Sequence, residues 1–575
     1  MAPGTSSFAR LIVFQRTAAT PLFSLLSTRK IIFTSRRKLG FRLSTSHCGV
    51  RGGVMISEPL QAVKDRIDLT EKEERIFRRL LDVVDHFKLS TQLRVAGGWV
   101  RDKLLGKDCY DIDIALDNML GREFCEKINE YLHFAGEEQQ GIGVIQCNPD
   151  QSKHLETARI RIYNIWIDFV NLRSESYAEN SRIPKMKFGT AEEDAYRRDL
   201  TINSLFYNIN TSSVEDLTGR GVQDLKNGYI VTPLTPKETF IDDPLRVLRA
   251  IRFGARFNFK LDEGLKEAAS DGEVGDALMS KISRERIGHE IDLMISGNKP
   301  VRAMLDICDL QLFNAVFTLP ESMQPEIVEG CHRQCISYLE AAWNVLQLIG
   351  SSTFTDEQRR LYLYGAFFLS LRSIVYTDNK SKKVPVSNFI IRNSLKLKSN
   401  DAEMVVSLHG AAEKFISFLA SVESYNEPVP ADLKLEEDFL ELPPTSWKRV
   451  WAGLLLREIK SFWRVALLMS TLLYQTTETI GDSLSKESER RQLIFIKAES
   501  IISNFDLDNV WEVKPLLDGK AIMRILQLEG GGPIVREWQQ RMIKWQLAHP
   551  DATSDECLQW MQQSQAKRPK LDCCA

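Results

Sequence analysis

The spacing of apolar residues changes partway along the chain. Between residues 93 and 231, short apolar runs are separated by polar and glycine positions, which is typical of strands joined by turns. From Pro244 onward, apolar residues recur every three or four positions, which is typical of amphipathic helices. We therefore predict a small α/β unit followed by an all-helical part. The predicted strands are 93–96, 108–117, 143–147, 155–163 and 165–170, with a hairpin at 214–231, and the clearest helices of the second part are 331–350, 358–376 and 447–474.

Two helix signals flank the first strand. Thr70 and Glu73 have the spacing of a capping box, so a helix should begin there and turn the apolar residues of 76–84 toward the core. Gly97 and Gly98 separate the strand 93–96 from a second predicted helix, which stops at Gly106.

Asp111 and Asp113 lie on one face of the predicted strand 108–117, because side chains alternate along a strand and Ile112 separates the two. Neighbouring carboxylates repel each other unless a cation lies between them, and Mg2+ prefers oxygen ligands. We therefore take Asp111 and Asp113 as candidate metal ligands. Such a pair also occurs in metal-dependent glycosyltransferases, in calcium loops and on solvated strands.

The glycine pair suggests a phosphate site close to these acids. Gly97 and Gly98 let backbone N–H groups approach phosphate oxygens at the start of a helix, and Arg101, one turn later, can add a clamp with two hydrogen bonds. The plain alternative is a tight turn. A phosphate site and a carboxylate pair about 15 residues apart are what a nucleotide–metal site requires.

Asp168 is a third candidate acid. It stands in the otherwise apolar predicted strand 165–170, where a lone carboxylate is costly unless it is paired or bound to metal. It either completes the metal cluster or accepts a proton from an attacking hydroxyl. The alternative is a structural salt bridge to Arg161 or Arg173.

A polar segment further along offers groups for a nucleotide. Asp199 and Asn203 are four residues apart, which would put them on one face of a helix, and Arg197 and Arg198 stand at its predicted start. Together they can bind a triphosphate and a ribose.

A second segment carries an acid and a base three residues apart. Asp243 and Arg246 would share a helical face, and Pro244 suits a first turn. Arg249, Arg252 and Arg256 continue the stripe, for which a solvated basic face is the ordinary explanation.

The first 57 residues differ from the rest. They contain nine basic residues, many Ser and Thr, and no acid, which is typical of an organellar targeting segment; a basic arm that binds nucleic acid is the alternative. Met55 stands just before the first acid, Glu58, so a second start there would give a form without the segment. We expect a mitochondrial or plastid form, with a second form in the cytoplasm and nucleus. Lys567–Lys570 resembles a short nuclear import signal.

Charge and cysteine content limit the remaining classes. The chain of 575 residues has a net charge of −2, and without the basic segment the body is clearly acidic, so any polyanion must be held by a local patch. The ten cysteines have no zinc-site spacing and are expected to be free thiols, Cys331 and Cys335 included. A basic track in the helical part is a candidate RNA contact, with a solvated loop as the alternative: Lys380, Lys382, Lys383, Arg392, Lys396 and Lys398.

Five motifs occur in an order typical of one family. They are G-G-x-x-R-D-x-L-L-G, D-x-D, R-R-D-x-T-I-N, D-L-T-G and D-D-x-x-R, spread over about residues 93–300. In this the chain resembles the class II tRNA nucleotidyltransferases, or CCA-adding enzymes, and the related bacterial poly(A) polymerases. The resemblance implies a polymerase-β-like α/β nucleotidyltransferase head followed by an all-α neck, body and tail. Where the family has Glu-Asp before x-x-R, this chain has Asp242-Asp243, which leaves the role of Asp242 open.

The resemblance also implies an activity: adding C, C and A to the 3′ end of tRNA from CTP and ATP without a nucleic-acid template. Asp111 and Asp113 would hold two Mg2+ ions. Asp243 and Arg246 would read the incoming base, because cytosine and adenine both present an amine donor beside a ring-nitrogen acceptor, whereas guanine and uracil present a carbonyl and an N–H there. The implied phosphate and sugar ligands are Gly97, Gly98, Arg101, Arg197, Arg198, Asp199 and Asn203.

The expected organisation and partners follow from this resemblance. The partners are tRNA, CTP and ATP; we expect no membrane and infer no obligate protein partner. The alternatives are a poly(A) polymerase on the same scaffold and an RNA-binding protein that has lost catalysis. The expected segments are a targeting segment (1–57), a head (58–232), a neck with the base-recognition helix (233–300), a body and tail that bind tRNA (301–550), and a mobile C-terminal tail (551–575).

Overall fold

A computed structural model of the chain describes residues 62–145, 157–176, 185–326, 330–423, 446–474 and 484–567. The targeting segment, Met55 and residues 568–570 of the basic tetrapeptide lie outside these ranges. The described part begins with a mixed α/β region and continues as helices with two small sheets.

Seven strands form the main sheet, in the order β3-β4-β5-β2-β1-β8-β9. β2 and β5 are parallel, and the other neighbours are antiparallel. Smaller sheets pair β6 with β7, β10 with β11, and β13 with both β12 and β14. The strands are β1 (Leu93–Ala96), β2 (Ile112–Leu116), β3 (Gly143–Ile145), β4 (Thr157–Ile162), β5 (Ile165–Asn171), β6 (Arg173–Ser176), β7 (Lys185–Phe188), β8 (Phe206–Asn208), β9 (Ser213–Glu215), β10 (Tyr229–Ile230), β11 (Lys260–Leu261), β12 (Met323–Gln324), β13 (Val375–Thr377) and β14 (Lys383–Pro385).

Helices account for most of the rest. Those of the first half are α1 (Glu71–His86), α2 (Gly98–Leu104), α3 (Gly121–Phe134), α4 (Ala191–Tyr196), α5 (Gly221–Asn227), α6 (Pro236–Asp242), α7 (Leu245–Phe257), α8 (Glu263–Ala269), α9 (Gly272–Lys281), α10 (Arg284–Ile295) and α11 (Pro300–Asp309). Those of the second half are α12 (Phe313–Val316), α13 (Cys331–Ile349), α14 (Asp356–Phe367), α15 (Val386–Phe389), α16 (Ser399–Glu423), α17 (Ser446–Ile459), α18 (Trp463–Leu473), α19 (Leu484–Asn504), α20 (Gly519–Leu526), α21 (Pro533–Ala548) and α22 (Ser554–Lys567).

One face of the main sheet is covered by helices and the other carries the acids. Ile112 and Ile114 of β2 and Phe169 of β5 are buried in the core, where the Phe169 ring lies 5.2 Å from that of Phe124 on α3. Because side chains alternate along a strand, Asp113 and Asp168 project from the opposite face. The capping box of α1 and the strand 93–96 are as predicted.

Three expected features of the chain course are wrong. Residues 214–231 do not form a hairpin, because α5 lies between β9 and β10 and β10 pairs with β11 instead. The predicted helix 358–376 ends as α14 at Phe367, and the polar break after it is a β13–β14 hairpin. Most of the expected mobile tail is α22, whose Cys557 and Met561 are buried against Trp538 of α21 because this face of the helix is apolar.

The helix α10 is held against the second half of the chain by hydrogen bonds and by close backbone packing. Arg284 donates to the backbone carbonyls of Ala315 and Ser394, at 2.8 and 2.7 Å. One helical turn further on, a Cβ on Gly288 would lie 1.7 Å from the carbonyl oxygen of Leu395. Only a glycine allows the two backbones to come this close.

Among the described residues, α16 alone is long and apolar enough to meet the length and composition of a membrane span. It is a core helix here, since Val405, Leu408 and Phe415 are fully buried among neighbouring helices that include α14, α17 and α18. Burial also raises the pKa of Cys335 on α13 to about 12, so this thiol stays protonated at neutral pH.

Candidate active site

The three predicted acids meet on one face of the main sheet. The parallel register of β2 and β5 pairs Asp113 directly with Asp168. Asp111 lies one residue before β2 begins and is exposed, whereas Asp113 is partly buried. Burial, together with the negative charges of Asp111 and Asp168, raises the pKa of Asp113 to about 6. The site therefore holds uncompensated negative charge at neutral pH.

Asp168 has a partner that the sequence analysis did not name. Both carboxylate oxygens accept from Arg159 of β4: Nε bonds Oδ1, and Nη2 bonds Oδ2 at 2.6 Å. The antiparallel register of β4 on β5 sets Arg159 opposite Asp168, whereas Arg161, one of the two expected partners, stands opposite Trp166.

Asp111 and Asp113, the two acids other than Asp168, suit a hard cation. No group of three or more His, Cys or acidic side chains in the described ranges is arranged to hold a metal ion. Mg2+, however, is commonly bound by one or two carboxylates, with substrate phosphates and water completing its shell. Asp111 and Asp113 fit this requirement. Burial, and then the charges of Asp111 and Asp168, raise the pKa of Asp113, and a nearby cation would favour its ionised form.

The glycine junction next to the acids packs tightly against an arginine. Gly97 has φ +67°, a left-handed conformation that favours glycine, and its N–H donates to the carbonyl of Leu205 at 2.9 Å. A Cβ on Gly97 would lie 2.8 Å from Nη1 of Arg198. Gly98 begins α2, and a Cβ there would meet only Nη2 of Arg101, at 3.6 Å. The junction thus sets a backbone bend directly against a guanidinium.

Arg101 is placed differently from an exposed phosphate clamp. Its guanidinium is buried, donates to Asp102 at 2.9 Å and to the side-chain oxygen of Asn203, and lies 4.9 Å from the ring centres of both Phe253 and Phe257 on α7. α7 covers it, which the sequence around Arg101 could not show. In this arrangement Arg101 fixes Asn203.

The paired arginines follow a helix end rather than begin one. α4 ends at Tyr196, Arg197 is its C-cap residue, and Arg198 follows. Both bind Asp194: Nε of Arg197 donates to Oδ1 at 2.7 Å, and Nη2 of Arg198 to Oδ2 at 2.7 Å. Although burial opposes it, the two guanidinium groups lower the pKa of Asp194 below its usual range. Arg198 also attracts the negative charge of Asp113, which places it beside the acid pair.

Asp199 and Asn203 do meet, but across a single 3₁₀ turn, Thr201–Asn203, and not along an α-helix. Nδ2 of Asn203 donates to Oδ1 of Asp199 at 3.1 Å, and Nε of Arg249 on α7 donates to Oδ2 at 2.7 Å. Burial alone would raise the pKa of Asp199, but Arg249 and Asn203 hold it at about 2. A continuous path therefore runs from Arg101 through Asn203 and Asp199 to α7.

The predicted base-reading pair stands at the start of α7. Asp243 is the C-cap residue of α6, and its carboxylate, 20% exposed, accepts from Nη2 of Arg286 on α10 at 3.3 Å. Arg246 is buried and donates from Nη2 to the backbone carbonyl of Arg197 at 2.7 Å. Arg246 is thus tied to the segment that holds the paired arginines.

Four residues in the site escaped the sequence analysis. Arg159 and Asp194 bind predicted site residues, Arg286 binds Asp243, and Glu290 binds Arg252 at 2.6 Å. Alternation along β4 could have suggested Arg159, since it falls on the face that carries the acids. Asp194 lies three and four residues before Arg197 and Arg198, a helical spacing that could also have suggested it. The contacts of Arg286 and Glu290 depend on how helices pack and leave no signal in local spacing.

Comparison with known proteins places this geometry in context. Residues 93–231 match the model of the Poly A polymerase head domain. The chain is 34% identical to the mitochondrial CCA tRNA nucleotidyltransferase of Saccharomyces cerevisiae over 539 residues, covering 86% of this chain and 93% of that protein. It is 34% identical to the tRNA nucleotidyltransferase cca2 of Schizosaccharomyces pombe, covering 86% and 99%. A solved CCA-adding enzyme in an apo form has the same fold, with a TM-score of 0.56 at 20% identity over 86% of this chain and 96% of that one.

Proposed function

The chain belongs to the family of CCA tRNA nucleotidyltransferases, and on that premise we propose that it adds C, C and A to the 3′ end of tRNA, using CTP and ATP and no nucleic-acid template. The observation that carries this proposal is the set of three acids on one sheet face, with Asp113 paired to Asp168, beside the arginine network. It argues against a scaffold that has lost catalysis, because such a scaffold would have no reason to keep repelling acids together.

We assign the metal to Asp111 and Asp113, and we take it to be Mg2+. The ion would polarise the tRNA 3′ hydroxyl and offset charge on the triphosphate. Asp168 lies next to Asp113, where it can take the proton of that hydroxyl once Arg159 releases it. Asp168 is therefore the third acid of the site, and Arg159 controls its availability.

The nucleotide is held by the arginines and Asn203, on the side of Asp111 and Asp113 away from Arg159. Arg198 lies beside Asp113 and against Gly97, so its guanidinium is the leading candidate to bind the triphosphate. Arg197 stands next in the same cluster on Asp194. Asn203, held between Arg101 and Asp199, supports the sugar. These residues bind and orient the nucleotide, so that its α-phosphate faces the incoming hydroxyl.

Asp243 and Arg246 select the base. The Asp243 carboxylate can accept from the amine of cytosine or adenine, while the Arg246 guanidinium donates to the adjacent ring nitrogen. Guanine and uracil would leave both groups mismatched, at a cost of about 1–3 kcal/mol for each unpaired buried group. Asp242 precedes this pair at the end of α6 and has no assigned role.

Each segment of the chain has its own proposed function. We assign residues 58–232 to the catalytic head, 233–300 to the neck that reads the base, and 301–550 to tRNA binding. The six basic side chains of the candidate track are exposed around the β13–β14 hairpin and the turn after α15, as an RNA contact requires: Lys380, Lys382, Lys383, Arg392, Lys396 and Lys398.

The deciding experiment uses protein from Met55 onward, Mg2+ and a tRNA transcript that lacks its last three nucleotides. CTP and ATP are given separately and together, and product length is read at single-nucleotide resolution. Two additions with CTP alone and three with both are expected. A long ladder with ATP alone would mean a poly(A) polymerase, and no extension would revive the RNA-binding scaffold. Asp111→Ala protein purified in parallel is the control for contaminating activity.

Residues 1–57 direct the longer form to the mitochondrion, in keeping with the mitochondrial relative from yeast, and initiation at Met55 supplies the cytoplasm and nucleus. A C-terminal fluorescent tag tests this proposal. Deleting the Met1 codon should leave only cytoplasmic and nuclear label, and Met55→Ala should leave only organellar label. Organellar label that persists without Met1 would contradict the two-start proposal.

A further inference from the structure

The strand order separates the two reactants of the proposed reaction. Asp113 lies on β2, with Asp111 just before it, at the middle of the order β3-β4-β5-β2-β1-β8-β9. The nucleotide-binding groups Gly97 and Asn203 follow β1 and precede β8, on one side of β2. If the nucleotide occupies that side, the tRNA 3′ end must approach from the β5–β4 side. This step rests on the proposed function.

The β5–β4 side carries an exposed tryptophan beside the acids. Trp166 of β5 is 49% exposed and stands two residues before Asp168, so both project from the same face. The β2–β5 register, continued by one residue, sets Asp111 opposite Trp166, as Asp113 is opposite Asp168. The indole is therefore next to the candidate metal ligands.

Two arginines flank this indole. The guanidinium carbons of Arg159 and Arg161 each lie 5.9 Å from the ring centre of Trp166, and Arg161 is its direct neighbour on β4. Arg159 is engaged by Asp168. Within the described ranges Arg161 is exposed and has no carboxylate partner.

An exposed aromatic face beside unpaired positive charge is the usual platform for an unpaired RNA base and its phosphate. The proposed reaction needs such a platform to be indifferent to sequence, since the terminal base of the tRNA changes at every addition. Stacking meets that need, because every base has a π face. A hydrogen-bonding pocket would favour one base.

We propose that Trp166 is a positioning residue that stacks on the last base of the tRNA 3′ end, while Arg161 contacts the phosphate next to it. The stack holds the terminal 3′ hydroxyl over Asp111 and Asp113. Trp166 takes no part in the chemistry, so its loss weakens the use of tRNA and leaves the use of CTP intact.

The first test measures stacking directly. A tRNA transcript that lacks its last three nucleotides carries 2-aminopurine as its final base, and its fluorescence is followed as protein is added without CTP or ATP. Quenching is expected with the wild type and should be largely lost with Trp166→Ala. The reporter is in the RNA because the protein contains ten tryptophans. Phe134→Ala is the matched control: Phe134 is 72% exposed on α3, which covers the opposite face of the sheet, and its loss should change nothing.

The second test separates positioning from a structural role. Trp166→Ala should raise the KM for tRNA about tenfold, with the KM for CTP within twofold of wild type, and Trp166→Phe should recover most of the loss. Arg161→Gln should raise the KM for tRNA. In this variant that KM should also increase less steeply with salt concentration than it does in the wild type. Unfolding midpoints of all variants should match, since both side chains are exposed.

The outcomes distinguish this inference from the proposed function. Unchanged quenching and an unchanged tRNA KM in Trp166→Ala would overturn the stacking role, even if the wild type adds C, C and A. A raised KM for CTP instead would overturn it too, by assigning the indole to the nucleotide. A wild type that extends no tRNA but shows Trp166-dependent quenching would support the subsite and overturn the proposed activity.

Discussion

Arg249 on α7 binds Asp199 in the loop that follows α4, with Nε of the arginine 2.7 Å from Oδ2 of the acid. Because Asp199 also accepts from Asn203, which Arg101 binds in turn, this ion pair joins the glycine junction to the helix that carries Arg246. The proposed phosphate-binding and base-reading parts of the site are thus held in one network.

Breaking this pair should cost both stability and activity. Asp199→Asn leaves the guanidinium of Arg249 without its main partner, and we expect a loss of about 2–4 kcal/mol in the free energy of unfolding at pH 7. Because the pKa of Asp199 is about 2 in the folded protein and lies below its usual 3.8, the stabilisation is complete above pH 4 and is lost as the pH falls toward 2. Urea unfolding at pH 7 measures the loss. Lys237→Gln, which removes exposed ion pairs with Asp271 and Glu273, is the control and should leave the urea midpoint nearly unchanged, because solvent screens exposed pairs.

Neutralising Asp113 should stabilise the metal-free protein. The folded-state pKa of about 6 lies above the usual 3.8, so the folded protein binds this proton more tightly than the unfolded chain does. The destabilisation is therefore complete above about pH 6 and absent below about pH 4. Asp113→Asn should add on the order of 1–3 kcal/mol at pH 7.5 in EDTA and little at pH 4. An equal gain at both pH values would contradict a cost that comes from ionising Asp113 in its buried, negatively charged surroundings. Asp108→Asn, exposed in the same segment, should give no gain.

The same acids should be indispensable for transfer. Asp111→Ala and Asp113→Ala each remove a candidate ligand of the cation, and we expect incorporation of CMP to fall at least 1,000-fold while the protein stays folded. Single-turnover extension of a tRNA transcript measures the rate, and circular dichroism checks the fold. Near-normal incorporation by either variant would refute the metal assignment. Asp108→Ala should extend at the wild-type rate.

A methyl group at the glycine junction should impair nucleotide binding more than folding. Gly97→Ala combines a positive φ with a Cβ only 2.8 Å from Nη1 of Arg198, so that guanidinium must move. We expect the KM for CTP to rise about tenfold, with a loss of about 1–2 kcal/mol in stability from the left-handed backbone. Gly98→Ala, where the nearest atom is 3.6 Å away, is the matched control and should raise the KM much less.

Base choice should depend on Asp243 and on the arginine that holds it. Asp243→Arg should let GTP or UTP be incorporated at rates closer to those of CTP, because the acceptor for the amine is lost. Arg286→Gln, which removes only the 3.3 Å contact to Asp243, should lower discrimination while keeping the preference for CTP and ATP. Misincorporation with each nucleotide alone measures both. Unchanged selectivity in Asp243→Arg would remove this residue from base reading.

Local patterns predicted the elements that local forces determine. The capping box of α1, the strand 93–96 and the alternation of Asp111 and Asp113 depend on residues within a few positions of each other. The hairpin expected at 214–231 was wrong because β10 pairs with residues 31 positions further along the chain. The tail beyond 550 looked mobile because its polar face dominates the composition, while two buried side chains fix it as α22.

The site was predicted as a set of residues but not as a set of contacts. The partner of Asp168 depends on strand register. Arg159 and Arg161 lie two residues apart on the same face of β4, and only the register decides which of them is opposite Asp168. Arg101 was expected to face a phosphate, yet α7 covers it, which only tertiary packing decides. Backbone alternation did predict correctly that Asp113 and Asp168 lie on one face of the sheet.

The contact between Gly288 and Leu395 has a genetic consequence. An alanine in place of Gly288 would force α10 away from the backbone of Leu395. α10 carries Arg286, which binds Asp243, and Glu290, which binds Arg252. A missense allele here would spare every residue that touches a substrate. It would act as a temperature-sensitive mutation: the protein would function at low growth temperature and fail at high growth temperature. The altered residue would lie far from the acids whose reaction it impairs.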